Sequence, residues 1–132
     1  MSVRDNMNFL PFQCFQSFDD EYLCDVVMCP GKCECKGYCM DCSYLNMTTF
    51  PLVSLQQRAV IFSGNQLYLW KKSTHHNNNI FRLNIGKNSI QDIKAGSFIH
   101  FKMLKELIIS YNHLTSLNGN TFLGLISLTC LV

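Results

Sequence analysis

Charged side chains are scarce in this sequence, and neither sign predominates. Asp, Glu, Lys and Arg together make up 15% of the 132 residues, and the formal net charge is +2. A protein that follows a nucleic-acid backbone needs a concentrated basic surface, because the phosphates must be neutralised by Lys or Arg. The composition therefore argues against nucleic acid as a partner.

The sequence also has few long apolar runs. Near the N-terminus only residues 9–12 form one, well short of the roughly 7–15 residues of a signal-peptide core. No stretch reaches the roughly 18 apolar residues of a membrane-spanning helix. We therefore expect an internal or truncated start, and we expect any membrane attachment to come from parts absent from this chain.

Catalytic motifs are missing as well. There is no serine-nucleophile motif and no phosphate-binding glycine loop. His75 and His76 are adjacent in an Asn-rich loop, where histidines are more often solvated than metal-binding, and the other two histidines stand singly. We expect no enzyme activity, no cofactor and no metal site.

Cysteine, by contrast, is abundant, and almost all of it lies near one end. Seven of the eight cysteines fall between Cys14 and Cys42, and Cys130 stands alone near the other end. Such density serves either a metal site or a set of disulfides. The zinc alternative would use Cys33, Cys35, Cys39 and Cys42. Its spacing, however, lacks two C-x2-4-C pairs separated by a dozen or more residues.

A 24-residue repeat fills the second half of the chain. The first full copy has Ile80, Leu83, Ile85, Asn88, Ile90, Ile93, Phe98 and Phe101, which recur as Leu104, Leu107, Ile109, Asn112, Leu114, Leu117, Phe122 and Leu125. A third copy begins at Leu128 and Leu131. The spacing L-x-x-L-x-L-x-x-N-x-L is that of a leucine-rich repeat, whose period is roughly 20–29 residues. We predict an α/β-type solenoid, a leucine-rich repeat horseshoe with short parallel strands.

Each copy contains a stretch whose side chains alternate between two environments. In LKELIISYN, Leu107 and Ile109 point to one side and Glu106 and Ile108 to the other, which predicts a strand with a core side and an open side. The candidate binding residues on the open, concave side are Ile61, Ser63, Arg82, Asn84, Glu106, Ile108 and Ser110. A mixture of isoleucines and charges is typical of a peptide-binding surface.

An Asn follows each strand at the point where the chain turns inward. We expect the amides of Asn88 and Asn112 to bond to backbone groups that no strand partner satisfies. A weaker, earlier copy has Asn65 at the same place, but it has His75 and Asn78 where the later copies have Phe or Leu. The back of this earlier coil is therefore expected to be polar and looser.

The cysteine pattern C-P-x2-C-x-C-x6-C, from Cys29 to Cys42, resembles the N-terminal cap of extracellular leucine-rich repeat proteins. A cap covers the apolar edge of a solenoid, and a cap of about 25 residues is too small for its own core. We therefore favour disulfides over zinc. Within this class the stretch CECKGYCMDC is most similar to the relaxin family peptide receptors, which are leucine-rich repeat G-protein-coupled receptors.

The resemblance implies a division of the chain. Residues 1–23 are expected to be a linker or disordered segment, residues 24–53 the cap, and residues 54–132 about two and a half repeats. In the first part we interpret Asp19, Asp20 and Glu21 as a solvated acidic stretch rather than a calcium site.

The resemblance also implies a function. The chain would be the ligand-binding ectodomain fragment of a receptor on the extracellular side of the plasma membrane. It would recognise a relaxin-like peptide hormone and act on a G protein through helices that it does not contain. One alternative is a secreted or cell-surface leucine-rich repeat module for adhesion or decoy binding, without a signalling part. Another is a reduced intracellular scaffold that binds zinc.

The disulfide cysteines are expected to be Cys24, Cys29, Cys33, Cys35, Cys39 and Cys42. The pairing implied by the resemblance joins Cys24 to Cys35 and Cys33 to Cys42, with Cys29 and Cys39 as an added pair. A register that starts at the CP dipeptide instead joins Cys29 to Cys35 and leaves Cys24 free for Cys14. In both registers Cys130 is an orphan thiol.

One glycosylation motif is present. Asn46, Met47 and Thr48 form an N-x-T sequon between Cys42 and Pro51. In an extracellular protein we expect a glycan on Asn46, on the surface and away from the concave strand.

Overall fold

The computed structural model describes residues 29–71 and 79–132, and within these ranges the chain consists of short strands and turns. The strands are β1 (Glu34–Lys36), β2 (Cys39–Asp41), β3 (Ala59–Ile61), β4 (Leu69–Trp70), β5 (Arg82–Asn84), β6 (Asp92–Ile93), β7 (Glu106–Ile108) and β8 (Cys130–Leu131). These two ranges contain no helix, so none there could span a membrane. The backs of the described coils are turns rather than the helices that an α/β-type solenoid would have.

Six of the strands form one sheet in the order β1-β2-β3-β5-β7-β8. β1 and β2 are an antiparallel hairpin, and every later neighbour is parallel. Ala59 lies opposite Arg82, Arg82 opposite Glu106, and Glu106 opposite Cys130. Corresponding residues of successive repeats thus lie opposite each other on neighbouring strands. This register confirms the predicted leucine-rich repeat solenoid with parallel strands.

A smaller two-stranded sheet pairs β4 with β6 in parallel, with Trp70 opposite Ile93. The indole of Trp70 is 4% exposed and stacks on the ring of Phe98 at a centroid distance of 5.5 Å. The expectation of a looser back concerns His75 and Asn78, which lie outside the described residues. Within the described ones, Trp70 supplies the aromatic filling of this coil.

A column of aromatic rings runs along the core from coil to coil. Phe50 lies 5.2 Å from Phe62 and 5.0 Å from Trp70, measured between ring centroids. The Phe98 ring then lies between those of Trp70 and Phe122, and its centroid is 6.2 Å from that of Phe122. Offset and edge-to-face contacts at such distances add to the stabilisation from burial. The column therefore couples the cap to each successive coil.

The repeat Asn residues bond to backbone in two coils. The Asn88 amide oxygen accepts from the Leu67 N–H at 3.0 Å, and its nitrogen donates to the carbonyls of Phe62 (3.0 Å), Ile85 (3.1 Å) and Gly86 (2.9 Å). The Asn residues of the neighbouring coils bond in the same way. These contacts confirm that the amides satisfy backbone groups that the strands leave unpaired.

Two disulfides fasten the cap, one between Cys29 and Cys35 and one between Cys33 and Cys42. This is the register that starts at the CP dipeptide. The pairing of Cys24 with Cys35 that the resemblance implied is wrong, because Cys35 is bonded to Cys29. Cys24 itself lies outside the described residues. Cys33 and Cys42 belong to the main buried cluster, so the cap forms the first layer of the core.

The disulfides also remove the zinc alternative. The proposed ligands Cys33, Cys35, Cys39 and Cys42 are all disulfide-bonded. A metal-binding cysteine must be a thiolate, and a sulfur in a disulfide is not one. The expected pairing of Cys39 with Cys29 is wrong as well, since Cys29 is already bonded to Cys35.

Candidate binding face

The open side of the main sheet carries two rows of side chains. The first row is Cys39, Ala59, Arg82, Glu106 and Cys130, which lie opposite one another in register. The second row is Asp41, Ile61, Asn84 and Ile108. Alternate residues of a strand share one face, so the two rows form a single surface, the concave face.

The charges at the centre of the concave face form a pair. Arg82 Nε lies 3.3 Å from Glu106 Oε1, on neighbouring strands, and the two side chains are 40% and 19% exposed. A pair with this exposure contributes roughly 0–1 kcal/mol, so its main effect is to orient the two groups. Glu106, the one acidic residue among the predicted binding residues, is therefore already engaged by Arg82.

The apolar residues of the concave face form a small cluster of their own. Cys39 is 4% and Ile61 7% exposed, and Ala59 and Ile108 pack against them. Ile61, which the sequence suggested as a contact residue, is thus largely buried. Ile108 is half-buried and keeps part of its side chain accessible. The accessible apolar floor is consequently centred on Ile108.

Two of the predicted binding residues, Ser63 and Ser110, extend the concave face past the ends of the strands. The Tyr44 N–H donates to the Ser63 carbonyl at 3.0 Å, and the Lys87 N–H donates to the Ser110 carbonyl at 2.9 Å, so the ladder continues here. Both serines are half-buried. Asn84 Oδ1 accepts from the backbone N–H two residues on at 2.9 Å, which fixes its amide on the surface.

Comparison with known proteins agrees with this architecture. A family model described as a leucine rich repeat matches residues 78–132. The cap disulfides and the first parallel strands lie directly ahead of the matched region. The chain therefore has the leucine-rich repeat fold, with a disulfide-bonded N-terminal cap ahead of the repeats.

The chain is also similar to two proteins of known name. Trophoblast glycoprotein of Macaca fascicularis is 27% identical over 103 residues, which are 73% of this chain and 24% of that protein. The crystal structure of human trophoblast glycoprotein, also named Wnt-activated inhibitory factor 1, superposes with a TM-score of 0.74 at 25% identity. It covers 80% of this chain, which spans 42% of the crystallised one. These similarities do not support the narrower resemblance to relaxin receptors.

One edge of the leucine-rich repeat sheet carries alternating aromatic and basic residues that the sequence analysis missed. The Arg58 guanidinium lies 5.2 Å from the ring centroid of Tyr38, and Lys105 Nζ lies 5.7 Å from that of Phe81. Backbone hydrogen bonds join the four residues in the order Tyr38, Arg58, Phe81, Lys105. We call this line the cationic edge. Each member directly precedes a strand, so the repeat frame could have revealed it.

The opposite edge of the leucine-rich repeat sheet carries exposed tyrosines. Tyr44 and Tyr111 are 60% and 78% exposed, and Lys87 Nζ lies 5.9 Å from the ring centroid of Tyr111. All three have positive φ, as does Gly64. A Cβ on Gly64 would overlap the Tyr44 ring, so this position requires glycine. Exposed tyrosines beside a fixed scaffold are frequent contact residues in protein interfaces.

The expectation of no metal site can be examined only for the described residues. Residues 29–71 and 79–132 contain no group of three His, Cys, Asp or Glu side chains that could hold a metal ion. His75 and His76, and the acidic stretch from Asp19 to Glu21, lie outside these residues.

Cys130 carries an exposed free thiol on β8, at the end of the first row of the concave face.

The Asn46 sequon lies on an exposed loop of the cap. We expect the protein secreted from eukaryotic cells to carry a glycan there, and Thr48→Ala to remove it. Asn46 has φ 57, a conformation that Asn tolerates better than most residues, so changing Thr48 disturbs the loop less than changing Asn46. The test is gel mobility before and after enzymatic deglycosylation. A wild-type protein whose mobility does not change would contradict the prediction.

Proposed function

We propose that this chain is a binding module of a secreted or cell-surface leucine-rich repeat protein, and that the concave face recognises a protein or peptide. One observation carries the proposal. Half-buried Ile108 lies beside the Arg82–Glu106 pair on a sheet whose strand spacing the repeat fixes. An apolar centre with oriented charges around it suits a protein surface rather than a small molecule. Function by binding rather than catalysis also fits the absence of a catalytic motif from the sequence.

Two further observations support an extracellular location. Disulfides of the kind found in the cap form and persist in oxidising compartments, which include the cell exterior. The similarity to trophoblast glycoprotein, a glycoprotein by name, points the same way. We place the module on the extracellular side of the plasma membrane.

The narrower hypothesis of a hormone receptor that signals through a G protein has less support. A basic hormone would need acidic partners on the concave face. Asp41 Oδ1 already accepts from the N–H and hydroxyl of Ser43, at 3.0 and 2.7 Å, and Glu106 is paired with Arg82. We therefore propose binding of the adhesion or decoy type, without a signalling part.

A binding screen tests the proposal. The chain is screened against purified extracellular proteins. Wnt-pathway proteins are included because of the second name of human trophoblast glycoprotein, and a relaxin-like hormone is included for the receptor hypothesis. For each ligand found, we expect Ile108→Glu to weaken binding at least about tenfold, because it places an unpaired charge in the apolar centre of the interface.

Leu123→Glu is the matched control. Leu123 is a 52% exposed apolar residue in the turns at the back of the last coil, and its substitution makes the same chemical change away from the concave face. We expect it to leave the dissociation constant unchanged. Equal losses for both variants, or full binding by Ile108→Glu, would place the ligand elsewhere and overturn the proposal.

A further inference from the structure

The cationic edge continues by one residue into the cap. Lys36, the last residue of β1, lies opposite Cys39, which directly follows Tyr38, so Lys36 belongs to the same edge of the sheet. In the strand order β1-β2-β3-β5-β7, basic residues therefore lie at the first, third and fifth strands. The rings of Tyr38 and Phe81 lie at the second and fourth. Basic and aromatic residues thus alternate from strand to strand.

The backbone fixes the spacing of these groups. The Phe81 N–H donates to the Arg58 carbonyl at 2.7 Å, and the Lys105 N–H donates to the Phe81 carbonyl at 2.8 Å. Neighbouring strands of a sheet lie roughly 4.8 Å apart. The backbones of successive basic residues are therefore about 9.6 Å apart, and the edge from Lys36 to Lys105 is about 19 Å long.

The basic groups of the cationic edge are oriented without being neutralised. Arg58 and Lys105 each lie over a ring, at 5.2 and 5.7 Å from its centroid, which is within the range of a cation–π contact. Arg58 Nη1 also donates to the carbonyls of Leu55 and Gln57, at 3.1 and 3.3 Å. In the part of the chain that the structure describes, no carboxylate pairs with Lys36, Arg58 or Lys105. The positive charges remain available to a ligand.

Acidic side chains lie away from this edge. Residues 29–71 and 79–132 contain nine Lys and Arg but only four Asp and Glu. Glu106 is paired with Arg82, and Asp92 with Lys94. The other two acidic residues lie opposite each other at the far end of the cap hairpin from Lys36. A line of unpaired basic groups with no acidic group beside it attracts an anion.

The shape of the cationic edge restricts the kind of anion. A lipid surface is bound by a cluster of about four to eight basic residues, whereas this edge is a single line. An extended acidic peptide has side chains on one side about every 6.6 Å, which does not match a spacing of about 9.6 Å. A chain of pyranose sugars advances about one strand spacing per sugar, so a disaccharide repeat does match. Sulfate groups on such a chain accept charge-assisted hydrogen bonds from Arg and Lys.

We propose that the cationic edge binds a sulfated glycosaminoglycan that crosses the strands, with one disaccharide repeat between successive basic residues. Lys36, Arg58 and Lys105 each bind a sulfate group, and the contacts with Tyr38 and Phe81 hold two of these cations in place. Cations that are already oriented lose less conformational entropy on binding. The inference uses the extracellular location proposed above. It uses none of the residues through which the concave face is proposed to bind a protein.

Heparin binding by the full chain tests the charges. We expect the chain to bind a heparin tetrasaccharide, and we expect the dissociation constant to rise at least about tenfold when all three basic residues of the edge are changed together, as Lys36→Gln, Arg58→Gln and Lys105→Gln. The plot of log affinity against log salt should also lose a slope of roughly two, because three ionic contacts are removed.

A second triple variant is the matched control. It removes the same number of charges from exposed lysines that lie on the opposite edge or at the back of the coils, as Lys71→Gln, Lys87→Gln and Lys94→Gln. We expect its dissociation constant to stay within about twofold of the wild-type value, and the emission of buried Trp70 shows whether both variants are folded. Equal losses in the two triple variants, or a wild-type chain that does not bind heparin, would overturn the proposal.

Oligosaccharide length tests the spacing. About two disaccharide repeats cover the cationic edge, so a tetrasaccharide should bind at least about tenfold more tightly than a disaccharide. A hexasaccharide should then gain less than about threefold more. Equal affinity for disaccharide and tetrasaccharide would overturn the match, and so would polyglutamate that binds the edge as tightly as heparin does. Neither result affects the Ile108→Glu test of the concave face, so the two proposals can fail separately.

Discussion

Replacing Asn88 by Ala should lower the free energy of unfolding by about 3 kcal/mol. The change removes the oxygen that accepts from the Leu67 N–H and three bonds donated to the carbonyls of Phe62, Ile85 and Gly86. Each buried polar group left unpaired costs about 1–3 kcal/mol. Two of these carbonyls also accept from a neighbouring Asn, which is why the expected loss is below the full sum.

Urea unfolding followed by fluorescence measures this loss. Trp70 is the only tryptophan of the chain and is buried, so its emission reports the folded core. Asn84→Ala is the matched control, because Asn84 is half-buried and makes one bond, to the Gly86 N–H. It should cost less than about 1 kcal/mol.

Asn88→Asp separates the roles of the two amide atoms. Aspartate keeps an oxygen for the Leu67 N–H but turns a negative oxygen toward the three carbonyls that the amide nitrogen served. It should destabilise at least as much as Asn88→Ala. If Asn88→Asp were as stable as the wild type, the bonds donated by the amide nitrogen would contribute little. The bonds of the repeat Asn residues would then not be what joins the coils.

The features that the sequence predicted correctly are those that each coil repeats. Leu83 and Leu107 must face the core, and Asn88 and Asn112 must bond the turn, because every coil meets the same neighbours at the same height. A fixed spacing therefore encodes both the strand register and the amide bonds. No information beyond one chain was needed for these predictions.

The features that the sequence did not determine depend on distances and contacts between residues that no repeat spacing relates. The choice between the two cap registers rests on which sulfurs lie within bonding distance, and C-x3-C-x-C spacing permits both. The burial of Ile61 arises from Cys39 on the adjacent strand, which no periodic pattern contains. Trp70 fills the back of the first described repeat from a position where the later copies have Ile93 and Leu117.

Phe98→Ala should be the most destabilising single substitution in the repeats, at about 3–5 kcal/mol. The Phe98 ring is fully buried and contacts three other rings, those of Trp70 at 5.5 Å, Phe101 at 5.6 Å and Phe122 at 6.2 Å. Removing it leaves a cavity between two coils and interrupts the aromatic column. A loss of this size is a large part of the 5–15 kcal/mol that ordinary domains have in total.

Phe122→Ala provides the comparison, since Phe122 holds the same place one repeat later and is only half-buried. The two substitutions remove the same atoms, so the difference between them measures what a covering coil adds, and we expect Phe122→Ala to cost less than half as much. Thermal unfolding by circular dichroism is the appropriate measurement, because loss of Phe98 also changes the surroundings of Trp70 and thus its emission. Equal losses would mean that the column stabilises each coil separately, and the coupling of the coils would then have to come from the Asn bonds and the strand ladder.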